Sequence, residues 1–335
     1  MKRTARPLLA LCCCLLPLAA SAGYGERPEV QRYIEQLVAR HDFDRAWLAG
    51  LFQRLEPRPQ VLAAIRRPAE RLPWYRYRAI FLTSRRIEAG KDFLHRHAGV
   101  LARAQERYGV PAEVIVAILG VETFYGRHQG RHPVLASLAT LAFDYPPRSR
   151  FFRGELEQFL LLAREEGLDP TAATGSYAGA MGLPQFIASS FRHYAVDFDQ
   201  DGRRDIWNDP ADAIGSIAHY LHRHGWRPGA PVAVPARVQG TAAPRYVIRH
   251  QAQPPRQRLA ELIREGITPA EDLPADAQVT LLALAGEQQE EYWLTLHNFY
   301  VITRYNHSPL YAMAVYQLGQ AIAEEADNRH GKLEP

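Results

Sequence analysis

Glu122 closes a strongly apolar run. Across residues 111–127, PAEVIVAILGVETFYGR, the side chains Val114, Ile115, Val116, Ile118, Leu119 and Val121 fill nearly every side of a helix. A helix that is apolar all round is normally buried. A carboxyl group at its end is partly removed from water, and desolvation raises its pKa. A carboxylic acid that keeps its proton near neutral pH can act as a general acid. The plainer reading is a helix-end glutamate paired with Arg127 or facing solvent, and this stretch alone slightly favours it.

A second group of residues lies in SYAGAMGLPQF, residues 176–186. Three glycines in so short a span suggest an irregular backbone that can approach a ligand closely. Pro184 is expected to open a helix, with Gln185 in its first turn. Ser176 and Gln185 are uncharged hydrogen-bonding groups suited to a sugar hydroxyl or acetamido group, although a structural turn would also explain them.

Residues 197–212 read DFDQDGRRDIWNDPAD. Asp197, Asp199, Asp201, Gly202 and Asp205 fall at positions 1, 3, 5, 6 and 9 of an EF-hand calcium loop, and Arg203 at position 7, which supplies a backbone carbonyl. Position 12 is Asn208, where a bidentate glutamate is expected, so Asp209 or Asp212 must supply the closing carboxylate. A solvated acidic turn is the weaker explanation. His219 and His222 share a helix face at a spacing seen in zinc sites, but no neighbouring acid completes a set.

The elements that must position these groups are mostly helical. QRYIEQLVARH and RAWLAGLFQRL show apolar residues at helical spacing, and one long amphipathic helix is expected from about Arg85 to Tyr108. Trp74, Tyr75 and Tyr77, with Arg76 and Arg78, read as packed rings under snorkelling arginines. Helical runs follow from Val134 to Phe143, from Phe151 to Glu166 and from Ile214 to His224. Composition then shifts towards proline, valine and arginine. VAV and RYVIRH look like short strands, LAELIREG like a helix, and VTLLALA with EEYWLTL like a strand pair around Gly286. Phe299, Tyr300, Tyr305, Tyr311 and Tyr316 form an aromatic series that could stack on sugar faces or simply fill a core. A last helix is expected from about Leu310 to Ala326.

The 335-residue chain is 47% hydrophobic, enough for a sizeable core. Residues 1–22 read as a cleavable secretory signal: Lys2, Arg3 and Arg6, then an apolar stretch from Leu8 to Leu18, then Ala20-Ser21-Ala22. Leu11 before Cys12 argues against lipidation. All three cysteines lie in this segment, so a mature chain starting at Gly23 carries neither disulfide nor thiolate chemistry. Cleavage also removes three of the positive charges behind the net +4, leaving +1. That balance gives no ground for a nucleic-acid or membrane partner.

Three stretches together, GVETFYGR, SYAGAMGLPQFIASSFRHYAVDFDQDG and NFYVITRYNHSPLYAMAV, resemble the signature segments of the bacterial lytic murein transglycosylase B family. The resemblance runs from about Trp74 to the C-terminal helix and is weakest in the insertion. It implies a mainly α fold: a lysozyme-like helical core with an N-terminal helical domain and a small α+β insertion domain. The corresponding segments are 23–85 for the N-terminal domain and 86–227 for the catalytic core with its calcium-type loop. The insertion is 228–295, and 296–335 completes the core. The family's catalytic glutamate falls on Glu122, and its glycan-contacting residues fall on Ser176, Gln185, Tyr305, Asn306 and Tyr311. A family tyrosine is Phe151 here, so any hydroxyl contact at that position is lost.

The implied reaction cleaves peptidoglycan between N-acetylmuramic acid and N-acetylglucosamine without water, leaving 1,6-anhydromuramic ends. No cofactor is required, and structural calcium is expected at Asp197, Asp199, Asp201, Arg203, Asp205 and Asp212. The implied partners are peptidoglycan glycan strands, with cell-wall synthesis or remodelling proteins as further candidates, and the implied location is the periplasm. A hydrolytic muramidase on the same core and a non-catalytic peptidoglycan-binding protein are the competing readings.

Overall fold

The computed structural model describes residues 23–66, 72–241 and 243–330, with the side chains of 325–330 left aside. The signal-type segment 1–22 lies outside the described residues. The chain divides into two compact units, at Pro57 and Arg58.

In the first unit, α1 (Pro28–His41) and α2 (Arg45–Gln53) match the two stretches with apolar residues at helical spacing. Asp42 stops α1 in a left-handed conformation, and the Asp44 carboxylate caps α2 by accepting the Trp47 N–H at 2.6 Å. Their facing sides bury Val30, Ile34, Leu37, Leu48 and Phe52, with Tyr33 set edge-on to Phe52.

The second unit is built around one central helix. Its helices in order are α3 (Pro59–Ile65), α4 (Trp74–Phe81), α5 (Ser84–Arg96), α6 (Ala98–Tyr108) and α7 (Ala112–Thr123), then α8 (Val134–Asp144), α9 (Ser149–Glu165), α10 (Ala188–Tyr194) and α11 (Pro210–Arg223). After the insertion come α13 (His297–Tyr305) and α14 (Pro309–His330). Every residue of α7 from Val114 to Gly120 is buried, because α5, α6, α11 and α14 pack around it. The all-round apolar run is thereby satisfied on all sides.

The long helix expected from Arg85 to Tyr108 is two helices, broken at His97. Thr83 caps α5, the His97 ring packs 4.3 Å from Phe93, and Gly99, a weak helix former, follows the break. In the aromatic cluster, Trp74 and Tyr77 are buried, whereas Tyr75 is exposed beneath the Arg76 guanidinium.

The insertion carries the sheet. Its strands are β3 (Ala233–Val238), β4 (Val247–Ile248), β5 (Gln257–Arg258), β6 (Ile267–Pro269), β7 (Gln278–Ala285) and β8 (Glu290–Thr295), in the order β4-β7-β8-β3-β6 with β5 also on β7. The strands β7 and β8 form an antiparallel hairpin from Thr280 opposite Thr295 to Ala285 opposite Glu290. The helix α12 (Leu259–Arg264) covers the sheet, closing a core of Val234, Leu259, Leu262, Ile267, Val279, Leu281 and Leu294. A separate two-stranded ribbon, β1 (His132–Pro133) with β2 (Thr174–Gly175), ties the segment after α7 to the glycine-rich loop. Among the described residues no helix is long and apolar enough to cross a membrane.

Candidate active site

Glu122 sits in the last turn of α7 and keeps only part of its surface exposed. Burial pushes its carboxyl up to about 7 from an ordinary 4.5, and a hydrogen bond from Tyr311 pulls the other way. That hydroxyl donates to Glu122 Oε1 at 2.7 Å. No second carboxylate among the described residues contributes to the shift.

The backbone turns sharply just after Glu122. Phe124 and Tyr125 both adopt left-handed conformations, with φ of 52° and 59°, followed by Gly126 at 87°. Two successive non-glycine residues in this region cost on the order of 1–3 kcal/mol each. Tertiary contacts hold them there. The guanidinium groups of Arg85, Arg86 and Arg127 lie 5.4, 5.0 and 5.2 Å from the Phe124 ring. The Tyr125 hydroxyl donates to the Arg86 carbonyl at 2.8 Å. The same hydroxyl lies where a Cβ at Gly90 or Gly120 would come within 2.4 and 2.6 Å of it, so the two glycines form its slot.

Thr123 ties the helix end to the glycine-rich loop. Its hydroxyl donates to the Leu183 carbonyl at 3.0 Å and accepts the Gly126 N–H at 2.9 Å. The next carbonyl, that of Pro184, accepts the Tyr305 hydroxyl at 2.6 Å. The Tyr305 and Tyr311 rings are parallel, 7° apart in plane and 6.4 Å between centroids. Glu122, Tyr311, Tyr305 and the Pro184-Gln185 turn are therefore one connected group.

Pro184 does not open a helix. Met181 and Phe186 pair across a tight turn, Gln185 is left-handed with φ of 50°, and α10 starts only at Ala188. The Gln185 amide nitrogen donates to the carbonyls of Gln129 and Gly182 at 3.1 and 2.9 Å. Two acceptor partners identify that atom as nitrogen and leave the carbonyl oxygen as the end available to a ligand. The Ser176 Oγ accepts the N–H groups of Ala178 and Ala180 at 3.2 and 3.0 Å, which leaves its own O–H free to donate.

The aromatic series is mostly packing. Phe299 and Tyr311 are buried, and Tyr316 donates to the Ala233 carbonyl. Tyr311 is only 2% exposed and spends its hydroxyl on Glu122. Tyr305 is half-buried against Phe186 and Tyr220. Asn306 ends α13, and its Oδ1 accepts the Ser308 N–H at 3.1 Å. Phe151 is exposed, with the Arg148 guanidinium 4.4 Å from its ring centre. Tyr220, which braces Tyr305 and donates to the Arg304 carbonyl, and Tyr125 were not singled out by the sequence. The glycines at 90 and 120 are the nearest signal for Tyr125, and they become legible only once the helices are packed.

The acidic loop has EF-hand-like wiring. The Asp197 carboxylate accepts N–H groups from Gln200, Asp201 and Gly202, and Gly202 is left-handed. Ligand atoms of Asp197, Asp199 and Asp201 lie within 4.8 Å of one another, as do those of Asp199, Asp209 and Asp212. Both candidate closing acids thus reach the cluster. Asp212 is 1% exposed and accepts the N–H groups of Phe198 and Asp205, while burial raises its pKa to about 6. Asp205 belongs to neither set. Its carboxylate folds back onto the N–H groups of Trp207 and Asn208, both at 2.9 Å. Arg203, at the carbonyl position, donates its N–H to Asp201. Several hard oxygens in so small a volume suit calcium, and their mutual repulsion is relieved by a cation.

The two histidines are structural. His219 and His222 bond the backbone carbonyls of Tyr194 and Tyr108 and pack on the Tyr108 ring.

A family profile described as the transglycosylase SLT domain matches residues 25–320. The membrane-bound lytic murein transglycosylase B of Escherichia coli is 42% identical over 310 residues, covering 90% of this chain and 84% of that protein. The soluble lytic transglycosylase SltB1 of Pseudomonas aeruginosa superposes with a TM-score of 0.85 at 50% identity, covering 90% of this chain and all of the other. Lytic transglycosylase Slt35 of Escherichia coli, solved in complex with calcium, superposes at 0.83 and 42% identity over 93% of this chain and 99% of the other. SltB3 of Pseudomonas aeruginosa, solved with NAG-anhNAM-pentapeptide, gives 0.77 at 34% identity over 88% and 78% of the two chains. These folds bear out the mainly helical, lysozyme-like architecture. One relative is described as membrane-bound and another as soluble, so the expectation of a chain without a lipid anchor gains no support from them.

Proposed function

The chain belongs to the transglycosylase SLT domain family, and from that premise we propose that it is a lytic transglycosylase of peptidoglycan. It cleaves the β-1,4 bond between N-acetylmuramic acid and N-acetylglucosamine and leaves 1,6-anhydromuramic ends. The observation that carries the reading is Glu122, a single buried carboxyl group at about 7 whose shift owes nothing to a second acid.

One carboxyl group can do this chemistry alone. Protonated Glu122 donates to the leaving oxygen as the bond from that oxygen to C1 breaks. The acetamido group of the substrate stabilises the positive sugar centre. The Glu122 carboxylate then takes the proton of the C6 hydroxyl as that oxygen bonds to C1, and the enzyme returns to its starting state. No water is consumed. The attack is intramolecular and gains from proximity. Hydrolysis by a retaining or inverting pair would need a second carboxyl group about 5–10 Å away.

Around Glu122, Tyr311 orients the carboxyl, Ser176 offers a donor and Gln185 an acceptor to the glycan, and Tyr305 and Asn306 border the same turn. Asp197, Asp199, Asp201 and Asp212, joined by Asp209, would hold calcium, with the Arg203 carbonyl and Asp205 as the remaining expected ligands. The ion would brace the loop, and the reaction as written passes through no cofactor. The partition into 23–85, 86–227, 228–295 and 296–335, export to the periplasm after loss of 1–22, and association with cell-wall synthesis or remodelling proteins belong to the same proposal.

The test is product analysis. Sacculi digested by the purified protein should release muropeptides one water lighter than hydrolysis products, with ends that resist borohydride. Glu122→Gln should lose at least about 10²–10⁴ in rate, because glutamine can neither give nor take the proton. Reducible muramic ends carrying ¹⁸O from solvent would make the protein a muramidase, and undiminished turnover by the variant would remove Glu122 from the mechanism.

A further inference from the structure

We infer that the cavity between α5 and the turn after Glu122 binds a carboxylate of the peptide carried by the glycan substrate. The inference rests on the reading of the protein as a peptidoglycan enzyme.

The cavity encloses about 360 Å³, and its walls include Asp92 and Arg96 from α5, Gly126 and Arg127 from the turn, and Leu183 and Trp207. Its two arginines are not used elsewhere as ion-pair partners. The Arg96 Nε donates to the Asp92 carbonyl at 3.3 Å, and the Arg127 guanidinium lies over the Phe124 ring. Neither has a carboxylate partner among the described residues. Asp92 offsets one of the two positive charges, so the pocket is matched to a single added carboxylate. Guanidinium groups present paired donors in the geometry of a carboxylate.

The pocket shares walls with the candidate active site. Gly126 is bonded to Thr123, next to Glu122, and the Leu183 that lines the pocket receives the Thr123 hydroxyl at its carbonyl. Gln129, also in the pocket wall, accepts the Gln185 amide. Gly126 lies four positions after Glu122, so their Cα atoms are at most about 14 Å apart. Muramic acid carries its peptide on a lactyl group at C3, two carbons along the ring from the reacting C1. A pentapeptide, extended, spans up to about 17 Å, enough to bring one of its carboxylates into the pocket.

The probes are the disaccharide of N-acetylglucosamine and anhydromuramic acid, bare, carrying a pentapeptide, or carrying a pentapeptide with its carboxyl groups amidated. None of these has the bond the enzyme cleaves, so equilibrium binding to the wild-type chain can be read directly by calorimetry. Wild-type protein should prefer the peptide-bearing disaccharide to the bare one. The variant Arg96→Gln, which leaves the Arg127 contact with the Phe124 ring in place, should weaken the peptide-bearing probe by about tenfold or more, the size expected for charged hydrogen bonds, and leave the bare disaccharide unchanged. Amidation should reproduce that loss on the wild type. Both arginines are exposed, and circular dichroism checks that the variant folds. Absence of a wild-type preference, no change in the Arg96→Gln variant, or an equal loss on bare and peptide-bearing probes overturns the inference. Failure of the function itself looks different: the wild type would then neither digest sacculi nor bind the bare disaccharide.

Discussion

Removing the acid at Glu122 should make the protein more stable, and by a pH-dependent amount. Burial moves this carboxyl from 4.5 to about 7 in the folded chain. Below the unfolded value both states hold the proton and nothing is lost. As pH rises from 4.5 towards 7 the unfolded chain ionises first, so the folded state binds more protons and loses stability. Above about 7 both states are ionised and the loss is complete. At about 1.4 kcal/mol per pH unit, that interval corresponds to about 3 kcal/mol. Glutamine has the same shape, still accepts from Tyr311, and carries no charge to desolvate. Glu122→Gln should therefore exceed wild type by up to about 3 kcal/mol at pH 8, with the gap closing below pH 4.5.

The assay is urea unfolding of wild type and variant across pH 4 to 8, followed by tryptophan fluorescence. Titrations elsewhere in the chain are common to both proteins and cancel in the difference. A variant no more stable than wild type at pH 8 would mean that the carboxyl is well solvated in the native state. A gap that does not change with pH would trace the effect to packing instead. Either result removes the desolvation argument, and with it the reason that Glu122 holds a proton near neutrality.

Tyr311→Phe should move the alkaline limb of the kcat/KM profile upwards by about one to two pH units, because the lost bond favoured the ionised carboxyl. A limb that stays in place would show that Tyr311 does not act on Glu122. Calcium should raise the melting temperature of the wild type, and Asp199→Ala with Asp201→Ala should abolish that response, since a ligand of the native state alone shifts unfolding by mass action. Identical melting in calcium and in chelator would reduce the loop to an acidic turn.

What the sequence made legible was whatever is local. The continuous apolar run of α7 announced a buried helix, and the VTLLALA and EEYWLTL segments around Gly286 announced the β7–β8 hairpin. The aspartate spacing announced the loop, because its wiring is made by neighbours: Asp197 holds Gln200, Asp201 and Gly202. Contacts between distant segments decided the rest. Gln185 is left-handed outside any helix because the Gln129 carbonyl, 56 positions away, and Gly182 hold its amide, while Tyr305 holds Pro184. Tyr311 reaches Glu122 across 189 positions, and no spacing rule announces that bond. Asp205 stands at the expected EF-hand position yet turns to Trp207 and Asn208, since an aspartate can always satisfy the backbone two or three residues on.

The single-carboxyl mechanism proposed for Glu122 would explain why two opposed influences meet there. The group must surrender a proton in one half of the reaction and recover one in the other, and a value near the working pH serves both halves. Burial alone would carry the carboxyl upwards until it became a reluctant donor, while the Tyr311 bond favours the ionised form and restrains that rise. The tyrosine can do so because it is itself buried and stacked on Tyr305, which is anchored through Pro184 to the turn carrying Gln185. The acid strength of Glu122 and the placement of the Gln185 amide are thus set by one chain of contacts. A change at Tyr305 that frees the ring should disturb both together, raising KM and shifting the pH profile in the same variant.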